Sequence, residues 1–533
     1  MSEFDADVVI VGSGALGANA AYQLAKAGKS VIMLEAGPYI PRWKVVENYR
    51  NSASKRNWCA PYPNLPWAPN SYTEGYIDAK GDDDFEYVTS FLRVAGGSTR
   101  HWASACWRLL PNDFKLKSVY GVGRDWPFEY SELEPWYVKA EREIGVVGTG
   151  DEDQSGQGRG HYPPRSADYP LPPEAKPYMV QRMQSKLGPM GYQVIHEPHA
   201  RVSRPYDGRP ACAGNNNCEP ICPIGAMYSG DMHVDKAVAL GAELRTECVA
   251  WKLEKGAGNK IVALTYRKPD GKDTRLTAKV FIIAAHGLET PKLLLMNDIA
   301  NSSDQVGRNM MDHSGLHCSF LAREPLWIGR GPAQSSCMVG YRDGGFRADH
   351  SANKIIINNI NRVIPSAVEV LKKGAVGKAL QEAVRDRASR SVDLSISLEP
   401  LPDPNNRLTL SPTRKDRHGL ACPDIHYDVG DYVRKGLEVV KTQLRQIGDL
   451  FDAEEFVIND KLNANNHIMG GHIMGSDPKT SVVDGNCRAH DHANLWIPGG
   501  GAMASASVVN TTLTMAALGL KAANDVLRVL EGK

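Results

Sequence analysis

From Val8 to Val11 the chain is apolar at every position, the pattern of a strand buried on both faces. Apolar residues then recur at helical spacing from Ala18 to Ala27 and stop at Gly28, a residue suited to ending a helix. Val31 to Leu34 is a second fully apolar run, closed by Glu35. The same strand, glycine turn and helix recur at residues 280–294, VFIIAAHGLETPKLL. They recur again near the C-terminus, where Leu495 to Ile497 leads into Gly499, Gly500 and Gly501 and then into helical spacing from Thr511 to Leu527. The middle of the chain reads differently. Lys354 to Asn361 and Val392 to Leu398 alternate or run apolar, as strands of an antiparallel sheet do. Residues 147–173 are rich in Gly, Pro and charge and predict a surface loop.

A chain of 533 residues exceeds one ordinary core, so it predicts two to four domains or a large enzyme with an inserted domain. Hydrophobic content of 42% and charged content of 23% are those of a soluble globular protein. A formal net charge of +1 gives no electrostatic case for nucleic acid or an anionic membrane. No apolar run reaches the ~18 residues that span a bilayer. The opening MSEFDADVVIVG has no basic and apolar leader, so no export signal of its own is expected.

The first turn carries the clearest chemistry. Gly12, Gly14 and Gly17 form G-x-G-x-x-G between a strand and a helix, and Glu35 ends the next strand. Gly12 permits the tight turn, Gly14 lets the backbone approach a pyrophosphate, and Gly17 lets helix and strand pack closely. The helix N-terminus faces the phosphates, and Glu35 is placed to accept hydrogen bonds from ribose hydroxyls. The motif alone does not separate FAD from NAD, but its place at the N-terminus favours FAD. The expected fold is α/β (α+β). A Rossmann-like FAD-binding domain is built from residues 1–40, 85–110, 200–310 and 480–533. A substrate domain based on an antiparallel sheet takes residues 311–479.

Three of the ten cysteines fall within eleven positions: Cys212, Cys218 and Cys222, with Pro223 directly after the last. A disulfide uses two and leaves one over. Structural zinc wants a fourth ligand, and the nearest candidates, His196, His199 and His233, have no familiar spacing. Burial as plain apolar residues does not suit a stretch containing Asn215, Asn216, Asn217 and Glu219. An iron–sulfur cluster accepts closely spaced thiolates, often with Pro after the last, and three thiolates suit three irons. The order of preference is cluster, zinc, disulfide.

Four stretches together resemble the glucose–methanol–choline (GMC) oxidoreductases, FAD-dependent alcohol dehydrogenases and oxidases. They are GSGALG with Glu35, VAGGSTRHW at 94–102, AAHGLETPKLL at 284–294 and HANLWIPGGGAMASASVVNTTLTMAAL at the C-terminus. The resemblance implies cofactor contacts from Gly96, Gly97, Ser98, Thr99 and Gly500. Trp102 stands where many members have Asn. It also implies a catalytic pair, His467 and Asn510, over the reactive face of the flavin. A neutral imidazole takes the hydroxyl proton while hydride leaves the same carbon, and the amide orients the hydroxyl. Asn466 matches a substrate-contacting position, and His472 is expected to support rather than catalyse.

RPYDGRPACAGNNNCEPICPIGAMY, PNDFKLKSVYGVGRDW, ANSSDQVGRNMMDH and LPDPNNRLTLSP narrow the resemblance further. They look like the large subunits of bacterial membrane-bound glucose, fructose and gluconate dehydrogenases. That subgroup implies a 3Fe-4S cluster on Cys212, Cys218 and Cys222, in the loop 210–225, taking electrons from the flavin to a cytochrome c subunit. It implies a small subunit with a Tat signal and a location on the periplasmic face of the inner membrane. Arg100, where close relatives tend to have Trp, offers a cation for a substrate carboxylate, which favours oxidation of D-gluconate to 2-keto-gluconate. The alternatives are a fructose, glucose or sorbitol dehydrogenase of the same subgroup and, more distantly, an oxygen-using oxidase.

Overall fold

The computed structural model describes residues 3–53, 59–82, 85–87, 89–459 and 461–533. Residues 1–2 and 88, within the segments expected to build the flavin domain, lie outside these. A parallel sheet of five strands runs in the order Leu495–Trp496, Ala278–Ile283, Ala6–Val11, Val31–Leu34, Glu243–Arg245. Its three inner strands are buried almost throughout, because helix Ala15–Lys26 packs on the sheet and a three-stranded antiparallel sheet, Val249–Lys255, Ile261–Arg267 and Asp273–Leu276, shares its core. Helix Ala15–Lys26 packs against the C-terminal helix Thr512–Leu530 and against Asp231–Ala239. The two chain ends therefore meet in one core.

A second, mostly antiparallel sheet lies beside the first. Its order is 85–86, 462–464, 314–321, 391–398, 353–358, 334–338, 194–196, and Glu454–Ile458 pairs on the strand 314–321. Its Val392, Leu394, Ile396 and Leu398 alternate with polar or small positions and enter a second core. The amphipathic helix Gly430–Leu450 closes that core with Val433, Val440, Leu444 and Ile447. Residues 85–86 and 194–196 belong to this sheet although they lie far outside 311–479. Short strands take their place from the partner they meet, and that partner is remote in sequence.

The loop 147–173 contains no helix or strand, as its composition predicts, yet it is not simply a surface loop. Asp153, Gln154, Ser155, Tyr169 and Leu171 are buried. The Asp153 carboxylate accepts the backbone N–H groups of Ser155 (2.8 Å), Gln157 (3.0 Å) and Arg159 (3.1 Å) and so folds the loop on itself. Fully buried Arg347 pairs with Asp113 (2.8 Å), Asp343 (3.3 Å) and Glu399 (2.5 Å). A guanidinium taken out of water needs such partners.

Candidate active site

A cavity of about 540 Å³ runs along the seam between the two sheets. At one end it is lined by Gly12, Gly14 and Glu35, at the other by Asn466, His467 and Asn510. Gly97, Ser98, Thr99 and Gly500 line it between. Gly12 has a φ of +94°, and a Cβ there would stand 2.4 Å from the Ala284 carbonyl oxygen, so only glycine fits. Gly17 and Gly96 shape this wall without facing the cavity. A Cβ at Gly17 would stand 2.0 Å from the Gly12 oxygen, and one at Gly96 would stand 2.6 Å from the Asp231 nitrogen. Glu35 is buried, and its carboxylate accepts Ser13 N–H (3.2 Å), the Ser13 hydroxyl (2.7 Å) and Gly37 N–H (3.0 Å). Three such bonds leave one of a carboxylate's roughly four acceptor positions free.

At the far end His467 and Asn510 are in contact. The Asn510 side-chain nitrogen donates to His467 Nε2 over 2.8 Å. Lys354 Nζ donates to Asn510 Oδ1 (2.7 Å) and to Glu197 Oε1 (3.0 Å). His467 Nδ1 lies 2.9 Å from His313 Nδ1. The turn that carries the pair is held from below: buried Asp312 accepts His467 N–H over 2.8 Å, and Asn466 takes a φ of +61°. Burial, then the neighbouring His313 and Lys354, push the His467 pKa well below the usual imidazole range. His467 is therefore neutral at ordinary pH. His313, Lys354 and Asp312 were not singled out from the sequence. The run DHSG at 312–315 carries two of them, but nothing local tells that they reach a turn about 155 residues away.

Arg100 is not at the cavity. It is 1% exposed, is ion-paired with Asp231, and donates to the Ile40 carbonyl oxygen over 2.7 Å. A guanidinium bound to a buried carboxylate is not available to a substrate, so the expected carboxylate contact is corrected. His472 lines the cavity beside Gly501, where a Cβ would meet its ring at 2.0 Å, and burial pushes its pKa down to about 3.

The three cysteines lie together in a small apolar cluster with Val147, Leu171, Val202, Ala226 and Met227. Cys212, Cys218 and Cys222 are in no disulfide, which removes that reading. The zinc candidates are engaged elsewhere: His196 with Glu152, His199 with Glu174 and His233 with Glu143. Among the described residues no three His, Cys, Asp or Glu side chains converge on a single metal ion. The fully buried Arg201 guanidinium interacts electrostatically with Cys218 and Cys212. Trp102 lines the cavity on one side and packs against the cysteine cluster on the other. Glu219 also lines the cavity.

Residues 7–149 match a model described as FAD dependent oxidoreductase, and residues 198–315 and 402–519 each match one described as GMC oxidoreductase. A fructose dehydrogenase large subunit from Gluconobacter japonicus is 45% identical, with 99% of this chain and 98% of that protein covered. The chain belongs to the GMC oxidoreductase family. A gluconate 2-dehydrogenase flavoprotein from Pantoea cypripedii is 24% identical over 96% of this chain and 92% of that one. Two solved structures share the fold: pyridoxine 4-oxidase from Mesorbium loti and a formate oxidase variant from Aspergillus oryzae. The first has a TM-score of 0.64 at 17% identity, with 98% of this chain and 99% of that one covered. The second has 0.65 at 15%, with 98% of each covered.

This GMC protein is an FAD-dependent oxidoreductase acting on CH–OH groups. The residues present fit the dinucleotide. Helix Ala15–Lys26 begins with no side-chain cap and no acid in its first turn, so its N–H groups are open to a pyrophosphate at the cavity edge. Trp67 Nε1 is buried in the cavity wall with no partner among the described residues, as a donor awaiting a ligand would be.

Proposed function

We propose that this protein is the large, catalytic subunit of a sugar dehydrogenase whose substrate is D-fructose or a closely related neutral polyol, rather than D-gluconate. The carrying observation is the wall that faces His467. The antiparallel sheet contributes His317, Gln334, Ile356, Asn358 and Ser395 to the cavity, and Asn465 and Asn466 follow from the next turn. Apart from Ile356 this wall is amide, hydroxyl and imidazole, and the cations that line the cavity elsewhere, Arg93 and Lys292, are already paired with Glu289 and Asp416. It suits a chain of neutral hydroxyls. The 45% identity to a fructose dehydrogenase large subunit supports the same choice.

The chain's own groups divide the work. His467 Nε2 takes the hydroxyl proton, and the substrate hydroxyl replaces the Asn510 amide as its partner. Asn510, held by Lys354, then bonds the same oxygen and fixes its direction. Asn466 and Asn358 hold neighbouring hydroxyls, and the buried seam keeps water from the reacting carbon. FAD, when bound along Gly14, Glu35, Gly97, Ser98, Thr99 and Gly500, supplies the hydride acceptor.

On the same reading Cys212, Cys218 and Cys222 would hold a cluster of the 3Fe-4S type, although among the described residues their thiols do not converge as a metal site. What supports it is that the three thiols share an apolar site beside the buried Arg201 guanidinium, and that Trp102 touches both this site and the cavity. Such a cluster supplies one-electron transfer to a cytochrome c subunit. A small subunit with a Tat signal and a periplasmic location complete this reading. Among the described residues no helix is long and apolar enough to cross a membrane. The test is to mix the anaerobic protein, purified with its partner subunits, with D-fructose, D-gluconate, D-glucose and D-sorbitol in turn. Flavin absorbance and the iron EPR signal are followed together. The flavin bleaches and the oxidised-cluster signal disappears with D-fructose first. Bleaching by D-gluconate alone overturns the substrate, and a protein without iron overturns the relay.

A further inference from the structure

We infer that His313 is a positioning residue that holds His467 in the one tautomer with a bare Nε2. The inference rests on the reading of His467 as the base. His313 is fully buried, and its Nε2 lies 2.9 Å from the carbonyl oxygen of Ser507. A carbonyl only accepts, so His313 Nε2 carries the hydrogen. Burial pushes the His313 pKa down to about 4, so the ring is neutral and its Nδ1 is a lone pair. His467 Nδ1, 2.9 Å away, must then be the donor. A neutral imidazole protonated at Nδ1 is bare at Nε2, the atom that faces Asn510.

The opposite end of the chain gives the same direction independently. An ammonium only donates, so Lys354 fixes the oxygen of the Asn510 amide towards itself and its nitrogen towards His467. An amide N–H needs an acceptor, and His467 Nε2 is what it meets at 2.8 Å. Ser507 is anchored in turn. Its hydroxyl donates to Asp113 Oδ2 (2.7 Å), and Asp113 is tied to Arg347. The other tautomer would point an N–H at the substrate hydroxyl and leave nothing to receive its proton.

The experiment uses protein labelled with ¹⁵N-histidine, with the His467 resonances assigned by their loss in His467→Ala. In the unsubstituted protein Nδ1 of His467 shows the shift of a protonated nitrogen and Nε2 that of a bare one. His313→Leu, which offers no acceptor, mixes or reverses the two. It also lowers the flavin-reduction rate constant with D-fructose about 100-fold, while apparent affinity changes by less than about threefold. His313→Asn, whose Oδ1 reaches the Nδ1 position, recovers about tenfold of that loss. The inference is overturned if His467 carries its hydrogen on Nε2 in the unsubstituted protein. It is equally overturned if His313→Leu leaves both tautomer and rate unchanged. Should His313→Leu fail to fold, the tautomer of the unsubstituted protein and the behaviour of His313→Asn decide. A His467→Ala protein that keeps its rate sinks the base assignment instead, whatever His313 does.

Discussion

Every hydrogen bond around the His467 ring is arranged so that Nε2 stays bare and neutral. The consequence for pH follows from the sign of the shift. A base with a depressed pKa works above that pKa and fails only when the pH falls through it. Rate loss from His467 therefore lies well below pH 6.5. The charged neighbours are Lys354, which reaches the ring through Asn510, and Asp312, which accepts the main-chain N–H. Burial pushes the Asp312 pKa up to about 7, so Asp312 itself titrates near neutrality. We expect any limb near pH 7 in flavin reduction to vanish in Asp312→Asn, leaving a flat profile from about pH 8 to about 5.5. A limb near pH 6.5 that survives Asp312→Asn would show that His467 is not shifted. This scale is also where the sequence misled. Arg100 looked like a free cation because its partner, Asp231, stands 131 residues away. His313 was silent for the same reason.

The elements at the cofactor end were legible because their signals are local. Fully apolar runs of four residues gave the strands at 8–11 and 31–34, and helical spacing from Ala18 to Ala27 with a closing glycine located the helix, which begins three residues earlier, at Ala15–Lys26. The glycine turn between them depends on the Ala284 carbonyl of a third, remote segment. Gly12→Ala places a Cβ against that oxygen at a φ of +94°. Strain of about 1–3 kcal/mol from the backbone alone is expected, with a lower melting temperature and loss of flavin on gel filtration. Wild-type flavin content and melting temperature in Gly12→Ala would contradict the close approach. Strands 85–86 and 194–196 were not legible, since two or three residues carry no period. Nor was the interior of loop 147–173, where a single carboxylate, Asp153, replaces hydrophobic patterning as the organiser.

Over the whole molecule, function sits where two sheets of different design meet. The parallel sheet brings the N-terminal glycine turn, the 278–283 strand and the C-terminal helix to one side of the cavity. The antiparallel sheet brings a neutral polar wall and, through Asp312 and His313, the turn that holds His467. The cysteine loop reaches the same cavity through Glu219, and Trp102 touches both the cavity and the cysteine cluster. We place the proton acceptor of this seam at His467. The most direct measurement is anaerobic stopped-flow reduction of the flavin by saturating D-fructose in His467→Ala beside the unsubstituted protein, at equal flavin content. The rate constant is expected to fall by about 10² to 10⁴-fold, with the flavin spectrum of the oxidised protein unchanged. A rate constant within about threefold of the unsubstituted protein would contradict it.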